Sequence, residues 1–155
     1  MSRKRENVRQ CKAIRQLIDD NKYTKALELI DAIPLEEVGS LDDLYRYAEL
    51  YEKAERMDKK KEIFYHIYHR THSRYMLNRL LRLTIRMGDM EEARELYFAY
   101  EVAGPITLDT FELRYLLAKA EGEPPERLIQ ILEELLPKRC CSKKKLFAIR
   151  CPEPC

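Results

Sequence analysis

Three histidines, His66, His69 and His72, recur at every third residue, and four cysteines, Cys140, Cys141, Cys151 and Cys155, crowd the end of the chain. Imidazoles and thiolates are the side chains that hold zinc, so each group is a metal candidate. Steps of three spread the histidines by roughly 60° each around a helix, which is loose for one site, and no inward carboxylate accompanies them. The cysteines supply enough thiolates for a tetrahedral ion but lack paired Cys-x-x-Cys knuckles; the alternative is an oxidation-prone tail. No metal and no cofactor is therefore expected. Residues 56–86 carry nine basic residues against Asp58 and Glu62, with Tyr65, Tyr68 and Tyr75 among them. Cations that neutralise phosphates and rings that stack on bases are the chemistry of nucleic-acid binding. Catalysis finds no support: there is no glycine-rich phosphate loop, nucleophile elbow or His-Glu metal helix, and no enzyme is expected.

The elements that must position these residues read as helices throughout. Val8, Cys11, Ile14, Leu17 and Ile18 recur at helical spacing, as do Ala26, Leu27, Leu29, Ile30 and Ile33, which predicts a helix pair over roughly 5–20 and 23–33. Pro34 ends the second of these. Ser40 is a candidate N-cap with Asp43 three residues on, and a second pair follows at 41–56 and 59–71. The apolar residues of 41–56 cover well over half of the helical wheel, as a helix covered on two sides requires. A third pair spans 74–87 and 90–103, with Gly88 suited to a left-handed C-terminal cap. A fourth spans 109–121, where Asp109 is the candidate cap with Glu112, and 125–136, opened by Pro124-Pro125. The apolar stripe of 125–136 is wide for a terminal helix. Lys138 to Cys155 holds no further pair and is open to three readings: a disordered tail, a metal-bound knuckle or an unnatural end.

The 155 residues suffice for one domain with a sizeable core, with 36% charged residues and a net charge of +2. The charge is segregated. Arg3 to Arg15 holds six basic residues and one acid, Asp19 to Glu55 eleven acids and four basics, and Asp89 to Glu134 twelve acids and four basics. Residues 1–13 lack the apolar run of a signal peptide, no stretch approaches a membrane span, and the cysteine layout is not that of a secreted disulfide scaffold. The cytoplasm is the expected compartment.

Short turns at Asn21-Lys22, Met57-Asp58, Gly88-Asp89 and Gly122-Glu123 break the pairs. Lys22, Asp58, Asp89 and Glu123 thus follow one another at a near-constant interval, and self-similarity on that scale marks a helical repeat array. Aligned on these turns the units resemble tetratricopeptide repeats, in particular degenerate bacterial members. Four residues after the turn Ala26 and Ala93 match the family's small residue, while Glu62 and Arg127 depart. Eight after it Ile30, Tyr97 and Ile131 match and His66 departs. Ile14, Leu50, Leu81 and Tyr115 fill the buried position eight before it. The family's tryptophan is absent, and Pro34 and Pro105 only approximate its closing proline.

The resemblance implies an all-α, right-handed superhelix (solenoid) of four antiparallel helix pairs over residues 1–137, with 138–155 as a basic tail. It also implies that the first helix of each pair lines a concave, partner-binding face. By that resemblance Tyr47 and Tyr51 in the second unit, and Asn78, Arg82 and Arg86 in the third, are the expected contacts, with tyrosines as apolar anchors and arginines for acidic groups. The competing reading places the tyrosines in the core or rim and the arginines in solvent. The expected role is a non-enzymatic scaffold for a peptide or partner protein. The alternatives are RNA binding through 56–86 and self-association through the 125–136 helix.

Overall fold

The computed structural model describes residues 2–134, so Cys140, Cys141, Cys151 and Cys155 and the end of the predicted last helix lie outside the described residues. The protein is all-α, with no strand among the described residues. Its helices are α1 (Ser2–Asp19), α2 (Tyr23–Ala32), α3 (Leu41–Lys53), α4 (Met57–Thr71), α5 (Arg74–Met87), α6 (Met90–Val102) and α7 (Leu108–Ala120), then α8 over 125–134. A 3-10 turn, Leu35–Glu37, follows α2. None of the described helices is long and apolar enough to cross a membrane. The chain divides into two compact units, Met1–Leu83 and Thr84–Cys155, and the break falls inside α5 rather than in a linker.

Each pair closes by the same device. Asn21, Glu55, Gly88 and Gly122 have positive φ (58°, 59°, 82° and 76°) and are almost evenly spaced along the chain. At each, the amide of the left-handed residue returns to the carbonyl three back: Asn21 to Ile18, Glu55 to Glu52, Gly88 to Ile85, Gly122 to Lys119. The next amide returns to the carbonyl five back, from Lys22 to Leu17 (2.8 Å), Arg56 to Tyr51 (2.9 Å), Asp89 to Thr84 (3.3 Å) and Glu123 to Ala118 (3.1 Å). This is the Schellman ending of a helix, which satisfies carbonyls that the helix cannot.

The backbone thereby corrects the sequence register. The second turn sits at Glu55 and not at Met57-Asp58, because Met57 already opens α4. Counted from Lys22, Arg56, Asp89 and Glu123, the position four on holds Ala26, Lys60, Ala93 and Arg127, and the position eight on holds Ile30, Phe64, Tyr97 and Ile131. His66 and Glu62 therefore do not occupy those positions; Phe64 and Lys60 do, and both are buried. The Lys60 ammonium stands over the Phe64 ring, 5.2 Å from its centroid, and pairs with Glu52 at 2.7 Å, so the buried lysine keeps its charge partnered.

Two expected caps also differ. Ser40 makes no side-chain cap bond, and Asp43 is taken by Arg15. The cap of α7 is Thr107, not Asp109: the Thr107 amide donates to the Thr110 hydroxyl at 3.0 Å and the two side chains complete a capping box.

In the first unit α1 packs on α2, α2 on α3, and α3 on α4. Its core includes Ile14, Leu44, Tyr47, Ile63, Phe64, Ile67, Met76, Leu77, Leu80 and Leu81. Polar residue pairs tie the elements of this unit together. Arg15 holds Asp43 through two bonds of 2.6 and 2.7 Å, and Arg46 lies 3.7 Å from Asp19. Asp31 accepts from both Tyr51 (2.5 Å) and Arg56 (2.8 Å). Arg70 donates to the carbonyls of Val38 and Gly39, fixing the chain that leads into α3. In the second unit α6 packs on α7, Leu113 and Ile131 are buried, Arg94 pairs with Glu121, and Arg114 pairs with Glu134 of α8 at 2.6 Å.

The turns yield opposite expectations for two substitutions. Open space surrounds the position a Gly88 Cβ would take, so Gly88→Ala adds only the cost of a left-handed backbone, about 1 kcal/mol. Glu55→Gly removes that cost and adds chain entropy to the unfolded state, leaving a gain of about 0.5–1 kcal/mol. Urea midpoints followed by far-UV circular dichroism should fall for the first and rise for the second.

Candidate functional site

The arrangement that brings the most binding chemistry together lies where α3 meets α5 in the first unit. The sequence of α5, RYMLNRLLRLTIRM, buries Met76, Leu77, Leu80, Leu81 and Leu83. Residues at steps of three and four on the other side, Tyr75, Asn78, Arg79 and Arg82, are thereby left out of the core. Tyr75 is 64% exposed, and the other three are half-buried. The Arg79 guanidinium stands 4.7 Å from the centre of the Phe64 ring, 5.6 Å from that of Tyr45 on α3 and 5.8 Å from that of Tyr75. Cation–π attraction of this kind is worth about 0.5–1 kcal/mol per contact near a surface. One turn on, Arg82 Nε donates to Asn78 Oδ1 at 2.7 Å. The patch thus holds Arg79 among aromatic rings and Arg82 braced on Asn78, an arrangement suited to carboxylates and flat apolar groups.

Of the residues expected to make contacts, Asn78 and Arg82 belong to this patch. Arg86 is exposed and follows on the same helix, beyond Leu83 where the first unit ends. Tyr47 and Tyr51 are not on an open face: they are 0% and 3% exposed. The step of four that links them is equally that of α3's core stripe, on which Leu44, Ala48 and Leu50 also lie buried. The open side of α3 instead presents Tyr45, half-buried, with Arg46 and Glu49 exposed. Arg79 went unread in the sequence, although Tyr75 and Arg79 stand at the four-residue spacing at which helical side chains meet.

The two buried tyrosines differ in their polar ends. Tyr51 donates to Asp31, and burial, then that bond, raise its phenol above the ordinary range. Burial alone would push Asp31 up, but the bonds from Tyr51 and Arg56, with the Arg56 charge, hold its carboxyl below the usual value. The Tyr47 hydroxyl is sealed from solvent with no hydrogen-bond partner of adequate geometry. Burial, then the neighbouring Cys11 thiol, raise it too, yet a thiol is a weak partner and does not satisfy it.

A second concavity, about 780 Å³, runs along α1 beside residues 36–43, with Arg3, Lys4, Lys12, Arg15, Glu37 and Asp43 in its walls. Its charges are largely spent on each other, Arg15 on Asp43 and Arg3 on Glu37 at 3.0 Å. His69 stacks on Tyr65 and tilts against Tyr68, and His72 meets Tyr68 edge-on. Among the described residues no three His, Cys, Asp or Glu side chains gather as metal ligands would. Comparison with protein-family models, with curated proteins and with solved structures finds no match to this chain.

Two measurements follow from the tyrosines. Tyr47→Phe removes an unsatisfied hydroxyl and should leave stability unchanged or raise it by up to about 1 kcal/mol, whereas Tyr51→Phe breaks a charge-assisted bond and should cost about 1.5–3 kcal/mol; denaturant titration separates them. Because Asp31 has a lower pKa folded than unfolded, its cluster contributes fully above the unfolded value of about 3.9 and fades as pH falls below it. Asp31→Asn should flatten the acid limb of the stability–pH curve, and a curve with wild-type slope would contradict this account.

Proposed function

We propose that this chain is a non-enzymatic interaction scaffold whose four helix pairs form one tetratricopeptide-like superhelix. On this reading it holds an acidic peptide or partner protein on the side lined by the first helix of each pair. The observation that carries the reading is the α3–α5 patch: Arg79 held among Tyr45, Phe64 and Tyr75, with Arg82 braced on Asn78. Tyrosine and arginine dominate the contacts that matter most at interfaces, and side chains already held in place lose less freedom on binding. The even recurrence of the left-handed turn, at Asn21, Glu55, Gly88 and Gly122, supports the array, since its interval is that of the tetratricopeptide helix–turn–helix unit. The cross-links Arg15–Asp43 and Arg79–Tyr45 further support α1, α3 and α5 as neighbours on one side.

A second reading has one observation in its favour. The two-thirds-exposed ring of Tyr75 beside Arg79 is also a platform on which an unpaired base could stack. A nucleic acid carries a charge at every residue past Asp42 and Glu49 on the open side of α3, where a peptide can place its few acids at the arginines alone, and the protein reading is preferred.

A displayed library of short peptides tests both. Selected sequences should be rich in Asp and Glu, and Tyr75→Ala, Arg79→Ala and Arg82→Ala should each weaken them by about tenfold, the cost of losing one strong contact, with helical content unchanged. Selected peptides that bind all three variants as they bind the parent would remove the patch. Tight, steeply salt-dependent binding of single-stranded RNA in the absence of any peptide ligand would replace the scaffold reading with the other.

A further inference from the structure

The second unit carries an exposed apolar strip that the α3–α5 reading leaves unexplained. On α6, Phe98 and Val102 are 67% and 71% exposed, one turn apart on the same face. Glu91 and Glu95 continue that face toward the helix start and are exposed. Neither acid is in an ion pair among the described residues, while Arg94, the one cation on α6, is engaged by Glu121. Ile106 and Leu108, just past the end of α6, are also exposed. The strip is therefore apolar at one end and anionic at the other.

The first unit carries the opposite arrangement on α1. Val8 is 65% exposed and lies in a shallow hollow with Lys4, Arg5 and Arg9. Arg5, Arg9 and Lys12 are exposed and have no ion pair among the described residues. Three residues separate Arg5 from Val8, and three separate Glu95 from Phe98. Two parallel helices therefore set cation against acid and apolar side chain against ring in one register. An apolar patch flanked by one sign of charge favours a partner with the complementary pattern.

We propose that the outer face of α6 takes the basic helix α1 of a second copy of this chain, Val8 seating against Phe98 and Val102 while Arg5 meets Glu95, with Glu91 one turn before it and Arg9 one turn after. The contact is independent of the α3–α5 patch. It joins two different surfaces, so each copy carries one donor and one acceptor for it.

Sedimentation equilibrium of the full chain under reducing conditions, from about 0.05 to about 0.5 M salt, tests this. The wild type should associate reversibly at low salt and dissociate as salt rises. Phe98→Ser with Val102→Ser, and separately Arg5→Glu with Arg9→Glu, should weaken association by about tenfold or more. Glu91→Lys with Glu95→Lys should do the same alone. An equimolar mixture of the two charge-reversed chains should associate again, because each supplies the half the other lacks. All these residues are exposed; circular dichroism checks folding, and the charge-reversed pair decides the matter should the serine variant unfold. A monomeric wild type at low salt overturns the proposal. So does association that survives the α6 serines but is lost with Ile129→Ser and Leu132→Ser on α8, or a mixture in which both charge-reversed chains stay monomeric.

Discussion

Reversal of the chain within three residues, through one residue in the left-handed backbone region, is the constraint on which the rest of this structure depends. Two successive amides then turn back onto the preceding helix, and the next helix starts in a fixed rotational register. That register sets which residues meet where the two helices of a pair approach. Ala26 and Ala93 occupy the close position by being small and are fully buried. Lys60 occupies it as a buried residue whose charge is paired with Glu52. Four residues further on, Ile30, Phe64 and Ile131 are buried, and Tyr97 is half-buried with its hydroxyl on Glu101. Proline and apolar spacing shape the ends and faces of the helices, but the turn decides how they are matched.

The helices themselves were legible because each needs a stripe of apolar side chains, and that stripe is visible at spacings of three and four. Gly88 and Gly122 were legible because a left-handed residue without a side chain is the usual solution. Glu55 was not, since a glutamate in that conformation has no compositional mark, and reading the turn two residues late carried His66 and Glu62 into positions that belong to Phe64 and Lys60. The caps failed for a similar reason. Ser40 and Asp109 have the right chemistry for capping, but Arg15 claimed Asp43, and Thr107 preceded Asp109.

The candidate site shows where sequence reasoning ends. Tyr47, Tyr51 and Tyr45 are all tyrosines on one helix, and a four-residue step places the first two together without saying which way they face. The answer came from the partners of α3. Helices α2 and α4 pack against it, and the side that remains is marked by Tyr45, Arg46 and Glu49. Asn78 and Arg82 could be read as outward because the opposite stripe of α5 is so uniformly apolar. Arg79 became significant only through rings contributed by two other helices, a relation that no local pattern contains.

The first unit fastens its parts in two ways. Inside each helix pair the reversal is made of backbone hydrogen bonds. Between one pair and the next, the packing of α2 on α3 is joined by polar side chains: Arg15 on Asp43, Arg70 on the carbonyls of Val38 and Gly39, and Asp31 shared by Tyr51 and Arg56. A ligand that grips α3 and α5 together would stitch one such junction shut, so occupancy of that face and stiffness of the unit would rise together.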